Sequence, residues 1–328
     1  MLTVFWRSGY ALQLAMLLAS TFAWAAPDQP DAVVIRALRH PVDKSYRKMV
    51  QGMDLFTAMH ALAPKAELRY RVLPRERDAD LQGVALAVLG DTVKQPVALA
   101  ADGTFTLARD AKALAEDAVV SANRPAQTMT WRADIRTPGL PPNVRRLGDL
   151  RLECQVGMRA GLVSQYPSVL DLFFGAVQSP AGYCNEREVR YLFFAEQPIF
   201  GVALYYAKRR QEMTAARLYA GVLRGQTPQS ERRYCDCQAL LDRAYTLPLG
   251  DASWPDDTLI ELEPMAPSAN DDDPLRGYTK AEARGALGEA KVLRFDSGYE
   301  VWAYEWSASD FIVLFAPDGR AAKSRLRL

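Results

Sequence analysis

The chain has 328 residues, with 40 Lys and Arg against 39 Asp and Glu and only two histidines, His40 and His60. With 49% hydrophobic and 24% charged residues it has the composition of a globular protein, which excludes collagen, a disordered tail and a long coiled coil. A net charge near zero gives no electrostatic footprint for nucleic acid or an anionic membrane surface, and two histidines leave little for acid–base or metal chemistry. The length predicts two or three domains at roughly 100–200 residues each.

Residues 1–25 read as a secretory signal. Arg7 supplies the basic start, the apolar stretch beginning at Ala11 supplies the hydrophobic region, and Ala23-Trp24-Ala25 gives the small-x-small pattern for cleavage before Ala26. The apolar run is short for a membrane span, Pro27-Asp28 follows without a basic stop-transfer cluster, and no later segment reaches membrane-spanning length. The expectation is a mature protein that is soluble and periplasmic or secreted.

From 26 to 143 the signals are mainly those of strands. Leu68 to Leu73 alternates apolar and basic residues, and Val84 to Leu89 is an apolar run followed by Gly90-Asp91. Asp102-Gly103 lies between Gln95–Leu99 and Thr104–Leu107 as a hairpin signal. Val119-Val120 and Met129–Ile135 add further strands, and the short regular spacing suggests a small β-sandwich. Tyr46 to Ala63 is the exception: Met49, Met53, Phe56, Met59 and Leu62 recur at helical spacing, and Pro64 ends the run.

Thr137 to Pro142 is a stiff connection into a mixed α/β region, 144–263. There Pro167–Phe174 and part of Arg232–Tyr245 look helical, while Val189–Phe194, Ile199–Tyr206 and Leu259–Leu262 read as strands. Tyr205-Tyr206 beside Lys208-Arg209-Arg210 is a candidate patch for glycan or protein, or simply a solvated strand end. This region holds all four cysteines, Cys154, Cys184, Cys235 and Cys237, and an even count in an oxidising compartment favours two disulfides with three possible pairings. A ring closed by Cys235-Asp236-Cys237 alone is strained, which favours pairing of these two with the distant cysteines, while a Cys154–Cys184 bridge would close a loop of about 30 residues. The C-x-C spacing, with no histidine near it, fits neither a zinc site nor a redox dithiol.

Residues 264–274, rich in proline and carrying Asp271-Asp272-Asp273, form an acidic linker by composition. The module at 275–328 then begins with Gly277-Tyr278-Thr279 and runs to Leu287-Gly288. Thr279 and Glu282 form a capping box, and Gly288 is placed to end the helix. Gly298–Trp306 alternates, with Tyr299, Val301 and Ala303 on one face and Trp302, Tyr304 and Trp306 on the other. Phe311–Phe315, the turn Pro317-Asp318-Gly319 and a final strand complete a helix and three antiparallel strands, so the expected class is α+β throughout. The series Gly-x-Thr-x-x-x-Ala-x-x-x-Leu-Gly at 277–288, Glu300-Val301-Trp302-x-Tyr304 and Asp318-Gly319-Arg320 resembles the SmpA/OmlA family, to which the small lipoprotein of the outer-membrane β-barrel assembly machinery belongs. The resemblance implies a protein-binding module working in the cell envelope, with envelope proteins, outer-membrane assembly components among them, as partners. Tyr299, Trp302, Tyr304 and Trp306 are the candidate interaction residues, weighed against a plain core role.

No G-x-S-x-G elbow with a later histidine, Walker loop, dinucleotide fingerprint or H-E-x-x-H occurs. The residues therefore point to no catalytic group, cofactor or metal ligand, and to an exported, non-enzymatic binding protein. Two other readings stand beside it: a secreted cell-wall or glycan hydrolase using carboxylates of 144–263, such as Asp149 with Glu153, and a periplasmic inhibitor or ligand-binding protein using the C-terminal sheet face.

Overall fold

The computed structural model describes residues 41–75, 79–125, 128–162, 180–186, 191–225, 238–267, 273–306 and 309–327. The signal segment expected at 1–25, the helix expected at 167–174, and Cys235 and Cys237 lie outside the described residues. Helices and several antiparallel sheets are present together, an α+β fold rich in strands.

The N-terminal part runs β1 (Pro41–Ser45), α1 (Tyr46–Ala58), β2 (Glu67–Pro74), β3 (Leu86–Leu89), β4 (Lys94–Val97), β5 (Thr104–Phe105), α2 (Ala111–Ala115), β6 (Val119–Pro125) and β7 (Met129–Arg136). Ser45 caps α1 by accepting from the Lys48 N–H. The helix stops at Ala58 and tightens into a 3₁₀ turn at His60–Leu62, because Ala63 before Pro64 is kept out of the helical region, at φ −142 and ψ 65. The strands form two antiparallel sheets, β1-β6-β3-β4 and β5-β2-β7. Both sheets and α1 share one core through Tyr46, Met49, Tyr70, Leu86, Phe105, Val120 and Trp131. Asp102-Gly103 does make a turn, with Gly103 at φ +75, but it is no hairpin tip. The strands on either side belong to different sheets, so the turn carries the chain from one to the other.

The middle part comprises β8 (Val144–Arg146), α3 (Leu147–Arg159), α4 (Pro180–Cys184), β9 (Phe193–Phe194), β10 (Ile199–Tyr206), β11 (Arg209–Glu212), β12 (Ala244–Tyr245) and β13 (Leu259–Pro264). Sheet β11-β10-β13-β8 is antiparallel throughout. Helix α3, which the residue pattern did not reveal, is buried along almost its whole length. Its buried charged side chains are therefore paired internally. Glu153 accepts from Arg145 at 2.7 Å and from the Ile135 N–H at 3.1 Å, and Asp149 accepts from the Thr137 N–H at 2.7 Å and its hydroxyl at 2.9 Å. Arg151 donates to the carbonyls of Leu249, Asp251 and Trp254. A Cβ on Gly52 would stand 2.8 Å from the Ala160 Cβ, so the crossing of α1 over the end of α3 requires glycine there. A further polar knot forms where Asp134 takes Arg71 at 2.8 Å and Arg136 at 2.8 Å, with Glu196 2.9 Å from Arg136. Burial alone would raise the Asp134 carboxyl, but Arg145, Arg136 and Arg71 outweigh it and hold the group below its ordinary value.

Cys154 of α3 is bonded to Cys184 of α4, with their Cα atoms 6.0 Å apart. The expected pairing of the C-x-C cysteines with Cys154 or Cys184 does not form: the packing of α4 on α3 brings these two thiols together with each other.

The C-terminal part is α5 (Lys280–Leu287), β14 (Lys291–Arg294), β15 (Glu300–Trp306), β16 (Ser309–Phe315) and β17 (Ala321–Arg327). The three expected strands are joined by a fourth, β14, in the order β14-β15-β16-β17. The Thr279–Glu282 capping box is formed, and Gly277, Gly288 and Gly319 all have positive φ. Both faces of this sheet are covered. Trp302, Tyr304, Val313 and Phe315 pack under α5, while Val301, Ala303, Ile312 and Leu314 join the core of the middle part. Within the linker segment, Met265 is buried and Asp273 accepts from the Ser324 hydroxyl at 2.8 Å. The described residues pack as one compact unit.

The Cys154–Cys184 bridge spans 30 residues of sequence. In the loop-entropy picture its loss costs about 3–4 kcal/mol. Denaturant unfolding of the Cys154→Ala/Cys184→Ala variant is expected to show a deficit of that size against the oxidised protein.

Candidate functional site

Strict alternation divides the central sheet into two faces. Val202, Leu204, Ile260 and Leu262 point into the core, and Arg145 of β8, opposite Ile260, points the same way to meet Glu153. The opposite face therefore carries Gly201, Ala203 and Tyr205 of β10, Glu261 and Glu263 of β13, and Arg210 and Glu212 of β11. Gly201 and Ala203 have almost no side chain, so a hollow forms between the charged residues around them. It encloses a cavity of about 170 Å³.

Strand β17 supplies the far wall. Lys323, Arg325 and Arg327 fall on alternate positions of its inward face. Lys323 donates to Glu263 at 3.2 Å and to the Pro264 carbonyl at 3.0 Å. Arg325 grips Glu263 with both terminal nitrogens and stands 3.5 Å from Glu212. Arg327 is buried and donates to the Phe200 carbonyl at 2.7 Å and the Met213 carbonyl at 3.2 Å, its guanidinium 5.1 Å from the Phe200 ring centre. Burial pulls the Arg327 pKa down.

Each carboxylate of the cleft is held by a donor of the fold itself. Glu212 pairs with Arg210 at 3.1 Å, Glu263 with Lys323 and Arg325, and Glu261 accepts from the Tyr205 hydroxyl. Burial, with donation to Glu261, pushes the Tyr205 phenol up to about 12. Arg210 in turn lies over the Tyr205 ring at 4.8 Å. The result is a fixed array of paired charges, suited to recognising polar groups. Among the described residues, no cluster of three or more His, Cys, Asp or Glu side chains is arranged to hold a metal ion, and no helix is long and apolar enough to cross a membrane.

The residues singled out in the sequence are placed as follows. Asp149 and Glu153 are both interior, with separate partners, and burial pushes both carboxyls up. His60 bonds the Ala66 carbonyl through Nε2 at 3.1 Å and lies 4.8 Å from the Phe56 ring. Trp302 and Tyr304 are each 3% exposed. Trp302 stacks on Phe315 at 4.8 Å, has Arg284 over its ring at 5.3 Å, and donates to Glu300 at 3.3 Å. Tyr299 is half-buried against the central core, and the Trp306 side chain lies outside the described residues. The Tyr205–Arg210 patch is the one feature noted in the sequence that lies at the cleft. Glu212, Glu261, Glu263 and Arg325 were missed, although Leu259-Ile260-Glu261-Leu262-Glu263 and Lys323-Ser324-Arg325-Leu326-Arg327 both show the alternation that places them.

No protein-family model, curated protein or solved structure matches the chain.

With Trp302 sealed beneath α5, Trp302→Ala is expected to destabilise the protein by about 3–5 kcal/mol. Denaturant unfolding checks this; a nearly unchanged midpoint would mean that the indole contributes little packing and is reserved for something outside the core.

Proposed function

We propose that the protein is an exported, non-enzymatic binding protein of the Gram-negative envelope, and that the cleft floored by Gly201 and Ala203 is where it takes hold of a polar segment of another envelope protein. The observation that carries this reading is the cleft's charge arrangement. Cations from two directions, Arg210 and Arg325, alternate with Glu212, Glu261 and Glu263 around a floor without bulky side chains. Every one of those carboxylates is already engaged by a donor of the fold, which favours recognition over the pair of differently tuned acids that hydrolysis of a glycan needs.

Export is supported by the basic, apolar and small-residue pattern of 1–25 and by the Cys154–Cys184 bridge. The SmpA/OmlA-like reading of 275–328 is supported by the helix laid on an antiparallel sheet and by the structural roles of its motif residues: Thr279 and Glu282 cap the helix, and Ala283 packs in the layer beneath it. In this reading the module acts as a wall. It contributes Arg325 to the cleft and presents neither sheet face to a partner.

The test is photo-cross-linking in intact cells from a reactive residue at Asn143, which lines the cleft, with the exposed Glu289 as the control position. A discrete adduct with an identified envelope protein is expected at Asn143 alone, and Glu261→Lys is expected to abolish it. Adducts only at Glu289 would move binding to the C-terminal module. Glycan hydrolysis by the purified protein, lost in Glu261→Gln, would replace binding with catalysis.

A further inference from the structure

Strand β11 ends its sheet. Among the described residues no strand pairs with its outer edge. Charged side chains on an edge normally guard it against pairing, and Arg209-Arg210-Gln211-Glu212 reads that way at first sight. The guard depends on which charges would meet.

The Met213 N–H bonds the Val202 carbonyl at 2.8 Å, and Leu204 stands opposite Gln211. In an antiparallel ladder, backbone groups of successive residues turn alternately to the two neighbours. Gln211 and Met213 are therefore turned towards β10, and the N–H and C=O of Arg210 and Glu212 are turned outwards. A strand adding antiparallel to this edge would bond Arg210 and Glu212, and its own side chains opposite them would share their face. Complementarity requires a base opposite Glu212 and, two residues further along the added strand, an acid opposite Arg210. The sequence that satisfies this is base-x-acid, which is Arg210-Gln211-Glu212 itself. Arg209 does not interfere, since it folds back over the Trp254 ring at 3.6 Å and donates to Ser253 at 3.0 Å.

We propose that β11 is the contact with a second copy of this chain: two β11 strands pair antiparallel across a two-fold axis through Gln211, each Arg210 meeting Glu212 of the other copy. Backbone parity and charge both select this register, and the contact is isologous and closed, as a two-fold requires. The Arg210–Glu212 ion pair now made along each strand at 3.1 Å is exchanged, two for two, for pairs made between strands. The two sheets become one of eight strands, and both charged clefts come to lie on the same side of it. Arg210 and Glu212 also border the cleft, but the inference does not rest on what the cleft binds.

Sedimentation equilibrium of the purified mature protein over a concentration series tests it. The wild type is expected to approach twice the chain mass. Arg210→Glu and Glu212→Arg each set like charges opposite each other at both symmetric positions, and each is expected to raise the dissociation constant at least about tenfold. Mixing the two variants restores acid opposite base at every position, so the mixture is expected to dimerise where neither variant does alone. Gln211→Cys gives a measurement that tolerates a weakened fold. The two residues would form a non-hydrogen-bonded pair with Cα atoms about 4.5 Å apart, within disulfide reach, and oxidation should link the chains, whereas Arg209→Cys should not. A wild type that stays monomeric with no Gln211→Cys cross-link, or a mixture that fails to dimerise although both variants are folded by circular dichroism, would overturn the proposal.

Discussion

The pairing of Arg145 with Glu153 sets the orientation of most of what surrounds it. A guanidinium and a carboxylate 2.7 Å apart in the interior need further hydrogen bonds to offset their desolvation. β7 supplies two of them: the Ile135 carbonyl accepts from Arg145 and the Ile135 N–H donates to Glu153, while the Arg145 Nε is left without a partner. Three elements, β7, β8 and α3, are thereby fixed to one another. The consequence reaches the surface through the pleat. With Arg145 turned inward, its neighbour Ile260 on β13 is also inward, so Glu261 and Glu263 face out. A slip of one residue would bury both glutamates and dissolve the cleft.

The cleft also depends on a second seam, between β17 and the central sheet. Lys323, Arg325 and Arg327 descend from one face of β17 onto Glu263 and the Phe200 carbonyl, so the C-terminal sheet is clasped by charge at its edge and by Val301, Ile312 and Leu314 across its face. Tyr219 stacking on Phe295 at 5.0 Å extends the same contact. Removal of 275–328 would expose this apolar surface and strip a wall from the cleft. Function is therefore better probed by single surface substitutions than by truncation.

Three of the four strands of the C-terminal sheet were legible: in β15 Tyr299, Val301 and Ala303 face one layer and Trp302 and Tyr304 the other, and the capping box at Thr279 marks the helix start, whereas the short β14 carries no such signal. Helix α3 was not legible. An amphipathic stripe appears only when one side of a helix meets water, and α3 has no such side. Asp149, Arg151 and Glu153 look like a solvated segment in the sequence, yet their charges are satisfied by Thr137, by the carbonyls of Leu249, Asp251 and Trp254 and by Arg145, contacts that close loops of very different lengths. The Asp102-Gly103 turn shows a related limit. Local chemistry set the reversal of the chain, but β4 pairs back with β3 across Gly90–Val93 while β5 pairs with the distant β2, so the two strands flanking the turn belong to different sheets. The charged cleft is hidden for the same reason, since it is assembled from β10, β11, β13 and β17, and only Tyr205 to Arg210 stand together in the chain.

A double-mutant cycle in urea unfolding, with Arg145→Met, Glu153→Leu and the two combined, tests the central role of the buried pair most directly. Each single change leaves an unpaired buried charge and is expected to cost about 3–5 kcal/mol, and the double variant should cost far less than their sum. Single costs below about 0.5 kcal/mol, or costs that simply add, would show that β8 and α3 hold their places without this pair.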